Sequence, residues 1–117
     1  MTVIEEQSVR IGDFLREKLV TDTVLHEVIG MTARTITVRR TKDAIGEDGH
    51  ALHMGDYPSV YTAQISDPDG VTQTLRLRKD GTYRIGESAG VRPLQKIAPK
   101  RFPDGNEYPW EYTDYSF

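Results

Sequence analysis

Residues 25–39 constrain the fold of this chain more than any other stretch of its sequence. In the second half of this stretch, Ile36 and Val38 alternate with threonine and arginine. A period of two places the two sets of side chains on opposite faces of a β-strand, one buried and one in solvent. A short polar turn separates the strand of Ile36 and Val38 from the apolar residues in the first half of the stretch. The stretch therefore predicts two antiparallel strands.

Similar alternating stretches recur downstream, with turn residues between them. In residues 72–79, Leu75 and Leu77 are predicted to face inward. The intervening Arg76 and Arg78 then face solvent. The Asp-Gly pair that follows is typical of a two-residue hairpin turn. The predicted strands are residues 14–20, 24–31, 35–41, 60–65, 72–79 and 83–85.

Short strands with regular turns and no strong helical pattern predict an all-β fold. We expect a small SH3-like barrel of five to six strands, with an OB-like barrel as the alternative. A chain of 117 residues suits one such domain. We expect a flexible N-terminus at 1–8, a β-barrel domain at 9–101 and an extended, acidic, aromatic C-terminal segment at 102–117 that docks on the barrel. Residues 42–59 are predicted to form a long mid-chain loop.

The composition excludes several classes of protein. The chain contains no cysteine, so it has no disulfide framework, thiolate nucleophile or cysteine zinc site. Its N-terminus is acidic where a signal peptide is basic and then apolar. No apolar run approaches the roughly 20 residues that span a bilayer. We therefore expect a cytoplasmic protein without membrane contact.

The charges are distributed unevenly along the chain. Residues 71–101 carry eight Lys and Arg against two Asp and Glu, whereas residues 102–117 carry four acids and no base. A basic middle followed by an acidic tail indicates intramolecular attraction first and polyanion binding second. The predicted nucleic-acid-binding residues form one basic patch, with Tyr61 or Tyr83 available to stack on a base. They are Arg39, Arg76, Arg78, Lys79 and Arg84. The alternative is a solvated outer face whose charges protect the sheet edge.

The C-terminal segment is rich in aromatic residues. Tryptophan and tyrosine dominate the energetics of protein interfaces, so these side chains are candidates for binding a protein partner. They are Tyr108, Trp110, Tyr112, Tyr115 and Phe117. The alternative is that they close the open end of the barrel, and we expect this for Trp110 and Tyr112.

Two motifs match patterns that are typical of a catalytic serine and of a metal site, but the surrounding sequence supports neither site. Residues 86–90 match the G-x-S-x-G pattern around a nucleophilic serine, Ser88. The Val-Arg-Pro that follows blocks the helix that this motif requires, so a loop is the better interpretation. His50 and His53 have the spacing of metal ligands, but no third ligand accompanies them. We predict no catalytic residue, no metal and no cofactor.

Part of the sequence resembles a family of small proteins from phages of actinobacteria. The similar residues are Val9-x-Ile-Gly-Asp13, Glu27 to Arg39 with its Thr-Ile-Thr-Val-Arg ending, Leu75 to Lys79 and Tyr108 to Tyr115. That family has no assigned activity, so the resemblance implies no functional residue. It implies a phage-encoded protein. The rigid barrel, the long loop at 42–59, the aromatic C-terminus and the lack of a catalytic constellation then favour an accessory protein that engages a host protein.

These observations together predict a non-catalytic binding module. The first expectation is a protein partner from the host cell, bound by addition to a strand edge or by capture of a peptide. The alternatives are a nucleic-acid-binding barrel that uses the Arg76 and Arg78 face, and a minor virion or assembly component. The sequence leaves the oligomeric state open.

Overall fold

The computed structural model describes residues 8–19, 22–86 and 93–116, and these contain strands and turns but no helix. The prediction of an all-β fold is confirmed. The strands are β1 (Phe14–Lys18), β2 (Thr23–Met31), β3 (Thr35–Arg40), β4 (Lys42–Asp43), β5 (His53–Met54), β6 (Ser59–Ile65), β7 (Thr72–Arg76), β8 (Gln95–Lys96), β9 (Lys100–Arg101), β10 (Glu107–Tyr108) and β11 (Trp110–Asp114). Among the described residues, no helix is long and apolar enough to cross a membrane.

The larger sheet has five antiparallel strands in the order β7-β3-β2-β1-β8. Its inner face carries the first hydrophobic core, because the alternation seen in the sequence turns one apolar set inward. Ile36 and Val38 are both fully buried there, as predicted. The buried members of this core are Leu15, Val28, Ile36, Val38, Leu75 and Leu94.

A second sheet has the order β11-β6-β4, and β5 also pairs with β6. It carries a separate core of Ala44, Ala63, Phe102 and Trp110. Partly buried side chains extend this core, among them Tyr61 and Tyr112. The C-terminal segment therefore supplies both a strand and large aromatic groups to the second half of the molecule.

The two sheets meet along the first half of β2. Its second half pairs with β3, as far as His26 opposite Arg40. Beyond that point β11 lies alongside β2, and side chains replace part of the backbone ladder. The Tyr112 N–H donates to Thr23 Oγ1 at 2.8 Å, and an antiparallel bridge joins Asp22 to Thr113. Strand β2 thus belongs to both halves of the protein.

A buried polar network lies where the chain passes from β3 to β4. The Thr41 hydroxyl donates to Gln64 Oε1 at 2.6 Å, and Gln64 Nε2 donates to Asp43 Oδ1 at 2.7 Å. Gln64 is only 1% exposed. Because buried polar groups are costly unless they are hydrogen-bonded, this network holds the crossing in one geometry.

The region around residues 72–85 differs from the prediction. Strand β7 ends at Arg76 rather than continuing to residue 79, because its partner β3 begins at the opposing Thr35. Leu77, predicted to face inward, is 37% exposed, and it lies beyond the last described pair of β7 with β3, Arg76 opposite Thr35. Residues 83–85 form no strand, although Tyr83 and Ile85 pack against the first core.

Two other expectations also need correction. Residues 42–59 are not a plain loop: they contain β4 and β5, and a bridge joins Ile45 to Ala51. Beyond residue 86, the described residues 93–116 contain four strands despite the prolines of this segment. Strand β8 pairs with β1 and β11 with β6, whereas β9 and β10 pair with each other. The predicted flexible N-terminus, apart from Ser8, lies outside the described residues.

Candidate ligand surface on strand β7

Strand β7 lies at one edge of the five-stranded sheet. Val71 and Leu77, which flank it, make backbone hydrogen bonds of 2.9 and 2.7 Å toward β3 and the turn before it. Backbone groups alternate in direction along an antiparallel strand. Thr72, Thr74 and Arg76 therefore direct their N–H and C=O groups away from β3, toward a side on which no described strand lies.

A cavity of about 870 Å³ runs along this edge and the turn that follows it. Its cationic lining includes four of the five residues predicted to bind nucleic acid, namely Arg76, Arg78, Lys79 and Arg84. Leu75 and Leu77 add apolar surface between them. The structure thus brings these four residues together along one side of the sheet.

The turn after β7 has its own hydrogen bonds. The Thr82 hydroxyl donates to Asp80 Oδ1 at 2.6 Å, and Arg84 Nη2 donates to Asp80 Oδ2 at 3.0 Å. The hydrogen bond from Thr82 is the main reason that the pKa of Asp80 lies below its ordinary value. Arg78 Nη2 donates to the carbonyl of Gly86 at 3.0 Å. These contacts orient the two arginines along the cavity.

Other cations at this edge carry no such contacts. Arg76 and Lys79 are exposed, and neither makes an ion pair within the described residues. Arg34, also exposed, lies on the β3 side of β7, where its carbonyl oxygen accepts a hydrogen bond from the Leu77 N–H at 2.7 Å. The sequence did not predict that Arg34 lies next to Leu77, because no pattern in the sequence links residues so far apart.

Arg39 is placed apart from the other predicted basic residues. It lies opposite Thr72, four positions along β7 from Arg76. Its Nη2 is 3.5 Å from Glu27 Oε1, and its buried Nε has no hydrogen-bond partner among the described residues. The positive charge of Arg39 is therefore partly neutralised by Glu27, and its side chain is partly buried.

The aromatic residues of the C-terminal segment have different surroundings. Trp110 is 9% exposed, and its Nε1 donates to the Ala98 carbonyl at 2.9 Å. The hydroxyls of Tyr112 and Ser59 are 3.0 Å apart. Tyr115 is half exposed and stacks on the more exposed ring of Tyr57.

Tyr108 is held by its own loop. Its hydroxyl donates to Asp104 Oδ2 at 2.6 Å, and this bond raises the pKa of Tyr108. Its ring meets Phe102 edge to face. Phe117 lies outside the described residues. Of the described aromatic candidates, Tyr115 presents the most surface to a partner.

The structure does not add support for a serine nucleophile or for a metal site. Ser88 lies outside the described residues. His53 Nδ1 is 3.0 Å from Thr62 Oγ1 on β6, and His50 is exposed in the preceding turn. Within residues 8–19, 22–86 and 93–116, no three His, Cys, Asp or Glu side chains cluster in a way that suits a metal ion.

Comparisons with protein-family models, with curated proteins and with solved structures return no match.

Proposed function

We propose that this protein is a non-catalytic binding module that takes an extended, acidic segment of a partner protein along the edge of β7. The observation that carries the proposal is the outward direction of the N–H and C=O groups of Thr72, Thr74 and Arg76. An extended peptide that adds to such an edge obtains its affinity from main-chain hydrogen bonds. Leu75 and Leu77 offer apolar contact beside it.

The charge of this edge defines the partner. Arg76 and Lys79 supply exposed positive charge, and Arg78 and Arg84 line the adjoining cavity. Opposite charges across an interface favour the encounter and disfavour partners of the wrong sign. A segment with alternating Asp or Glu side chains complements this arrangement.

A protein segment suits the β7 edge better than a nucleic acid does. Binding of single strands combines a basic groove with aromatic rings on which bases stack. Tyr83 packs against the first core, and Tyr61 packs against the core of the second sheet. Neither ring lines the cavity beside β7, so the stacking half of that arrangement is missing from its lining.

The finer fold type and the setting are part of this proposal. The contact of β11 with Thr23 of β2, together with the bridge from Asp22 to Thr113, supports a small SH3-like barrel. The resemblance to actinobacteriophage proteins makes a host protein in the cytoplasm the proposed source of the acidic segment.

The test uses a labelled peptide of alternating Glu and Val, measured by fluorescence anisotropy. Thr74→Pro removes an outward N–H at an edge position that tolerates proline, and we expect it to abolish binding. Thr74→Val keeps that N–H and should bind like the unaltered protein. Arg76→Gln with Lys79→Gln should weaken binding about tenfold.

The matched control for charge is Arg10→Gln with Lys42→Gln, which removes two exposed cations elsewhere and should change little. Equal binding by Thr74→Pro and Thr74→Val would show that no strand addition occurs. Tighter binding of oligothymidylate than of the peptide, lost in the Arg76 and Lys79 variant, would replace the proposal with nucleic-acid binding.

A further inference from the structure

A second groove lies where the two sheets meet, away from β7. It has a volume of about 290 Å³. Four strands contribute to its floor in a continuous order: Lys18 of β1 lies opposite Thr23 of β2, Thr23 accepts a hydrogen bond from the backbone of Tyr112 on β11, and Tyr112 lies opposite Tyr61 of β6. The groove is thus a built feature of the seam between the sheets.

Three aromatic rings form one wall of this groove. The rings of Tyr61 and Trp110 meet edge to face at 5.2 Å, and those of Tyr61 and Tyr112 are tilted at 5.1 Å. The hydrogen bond from Trp110 Nε1 to Ala98 and the contact between the Tyr112 and Ser59 hydroxyls hold these rings in place. A rigid aromatic wall is suited to packing against a flat ring.

Cations surround this wall. Arg16 and Lys18 line the groove. Lys100 is not part of this lining, but its Nζ lies over the Tyr61 and Trp110 rings, 4.9 and 5.3 Å from their centroids. Arg16 is oriented by two hydrogen bonds to Gln95 Oε1, at 2.6 and 3.0 Å. That partner is a neutral amide, and within the described residues neither Arg16 nor Lys18 makes an ion pair. Among the described residues that line the groove none carries a carboxylate, so no acidic side chain of this lining compensates its positive charge.

We propose that this groove binds a nucleoside monophosphate unit, either as a free nucleotide or within a single-stranded nucleic acid. The planar guanidinium of an arginine matches the geometry of phosphate oxygens. Aromatic side chains stack on bases of any sequence. A volume near the lower end of the range for ligand pockets suits one such unit. The site is separate from the β7 edge and does not depend on the function proposed there.

The fluorescence of Trp110 offers a direct readout, because it is the only tryptophan in the chain. Excitation at the red edge of its absorption avoids the bases. We expect saturable quenching by thymidine monophosphate, at least tenfold weaker binding of thymidine, and none by inorganic phosphate. Arg16→Gln and Lys18→Gln should each weaken thymidine monophosphate binding about tenfold.

The control is Arg76→Gln, which removes a cation of the β7 edge and should bind thymidine monophosphate like the unaltered protein. Urea midpoints and near-ultraviolet circular dichroism establish that each variant is folded. Oligothymidylate that binds at least tenfold more tightly than the monophosphate, with a steep salt dependence, identifies a single strand as the source. Equal affinities identify a free nucleotide.

Several results would overturn the proposal. One is the absence of saturable quenching with both thymidine monophosphate and oligothymidylate. Another is equal binding of thymidine and its monophosphate, which would show that the cations play no part. A third is a folded Arg16→Gln protein that binds like the unaltered one. Because Arg76→Gln tests the other surface, failure of this proposal is distinguishable from failure of peptide binding at β7.

Discussion

Glu111 on β11 accepts a hydrogen bond from the backbone N–H of Leu25 on β2 at 2.8 Å. This N–H lies where β2 passes from β3 to β11, so a side chain completes a ladder that the backbone leaves open. Leu25 is fully buried, and burial raises the pKa of Glu111 despite that hydrogen bond. A carboxyl group therefore joins the two halves of the protein and is at the same time disfavoured in its charged form.

The raised pKa of Glu111 predicts a dependence of stability on pH. A carboxyl with a raised pKa in the folded state contributes stability that is present below its ordinary value of 4.5 and is lost as pH rises through the folded pKa. Glu111→Gln keeps an oxygen acceptor for Leu25 and removes the charge. We expect this variant to lose less stability than the unaltered protein between pH 4.5 and neutrality.

Urea unfolding of both proteins across this pH range gives the difference between their free energies of unfolding. The contributions of other titrating groups cancel in that difference. Glu111→Ala removes the acceptor as well and should cost about 1–3 kcal/mol, since it leaves a buried N–H unpaired. Parallel pH curves for the unaltered and Gln proteins would contradict the expected role of burial.

His26 predicts a dependence of the opposite kind. It is 2% exposed, and burial lowers its pKa although its Nε2 lies 3.0 Å from Glu17 Oε1. The unfolded chain takes up a proton near pH 6.5, whereas the folded protein does so only at lower pH. Stability should therefore fall as pH falls below 6.5. His26→Gln should have a flatter profile over the same range in urea titrations, and an unchanged slope would refute this.

The two leucines at the end of β7 test the corrected register. Leu75 is 7% exposed within the first core, whereas Leu77 is 37% exposed beyond the strand. Leu75→Ala should lower the free energy of unfolding by about 2–5 kcal/mol, because it leaves a cavity. Leu77→Ala is the matched control and should lose less than half as much. Equal losses in urea unfolding would mean that the strand continues inward past Arg76.

The polar network at the β3–β4 crossing should behave as one unit. Thr41→Val removes the donor to Gln64 and leaves a buried oxygen unpaired, at a cost of about 1–3 kcal/mol. In the double variant Thr41→Val with Gln64→Leu, we expect a loss smaller than the sum of the two single losses. Chemical unfolding of the four proteins measures this coupling, and strict additivity would show that the hydroxyl and the amide act independently.

Some features of the fold were predictable because they depend on local pattern. The alternation at Ile36 and Val38 predicts an inward face from side-chain geometry alone, whatever the partner strands are. The same reasoning failed at Leu77, because alternation does not reveal where a partner strand stops. An extended C-terminal segment was predicted, but the strand pairing of residues 95–114 was not. Three of these four strands are only two residues long, and they form because β8 pairs with β1, β11 pairs with β6, and β9 and β10 pair with each other.

The candidate sites divide in the same way. The cations of residues 76–84 are close in sequence, so their cluster beside β7 was foreseeable from composition. The groove of Arg16, Tyr61 and Trp110 was not, because its members come from three separate strands.

The amino-acid sequence by itself determined the all-β class, the inward set of the central strands and the concentration of positive charge after residue 71. Only the tertiary structure decided that β11 lies alongside β2, that Trp110 is buried in the second core and that Arg16 lies beside an aromatic wall. The physical reason is that strand alternation and charge are properties of neighbouring residues, whereas strand pairing depends on the free energy of contacts between residues far apart in the chain.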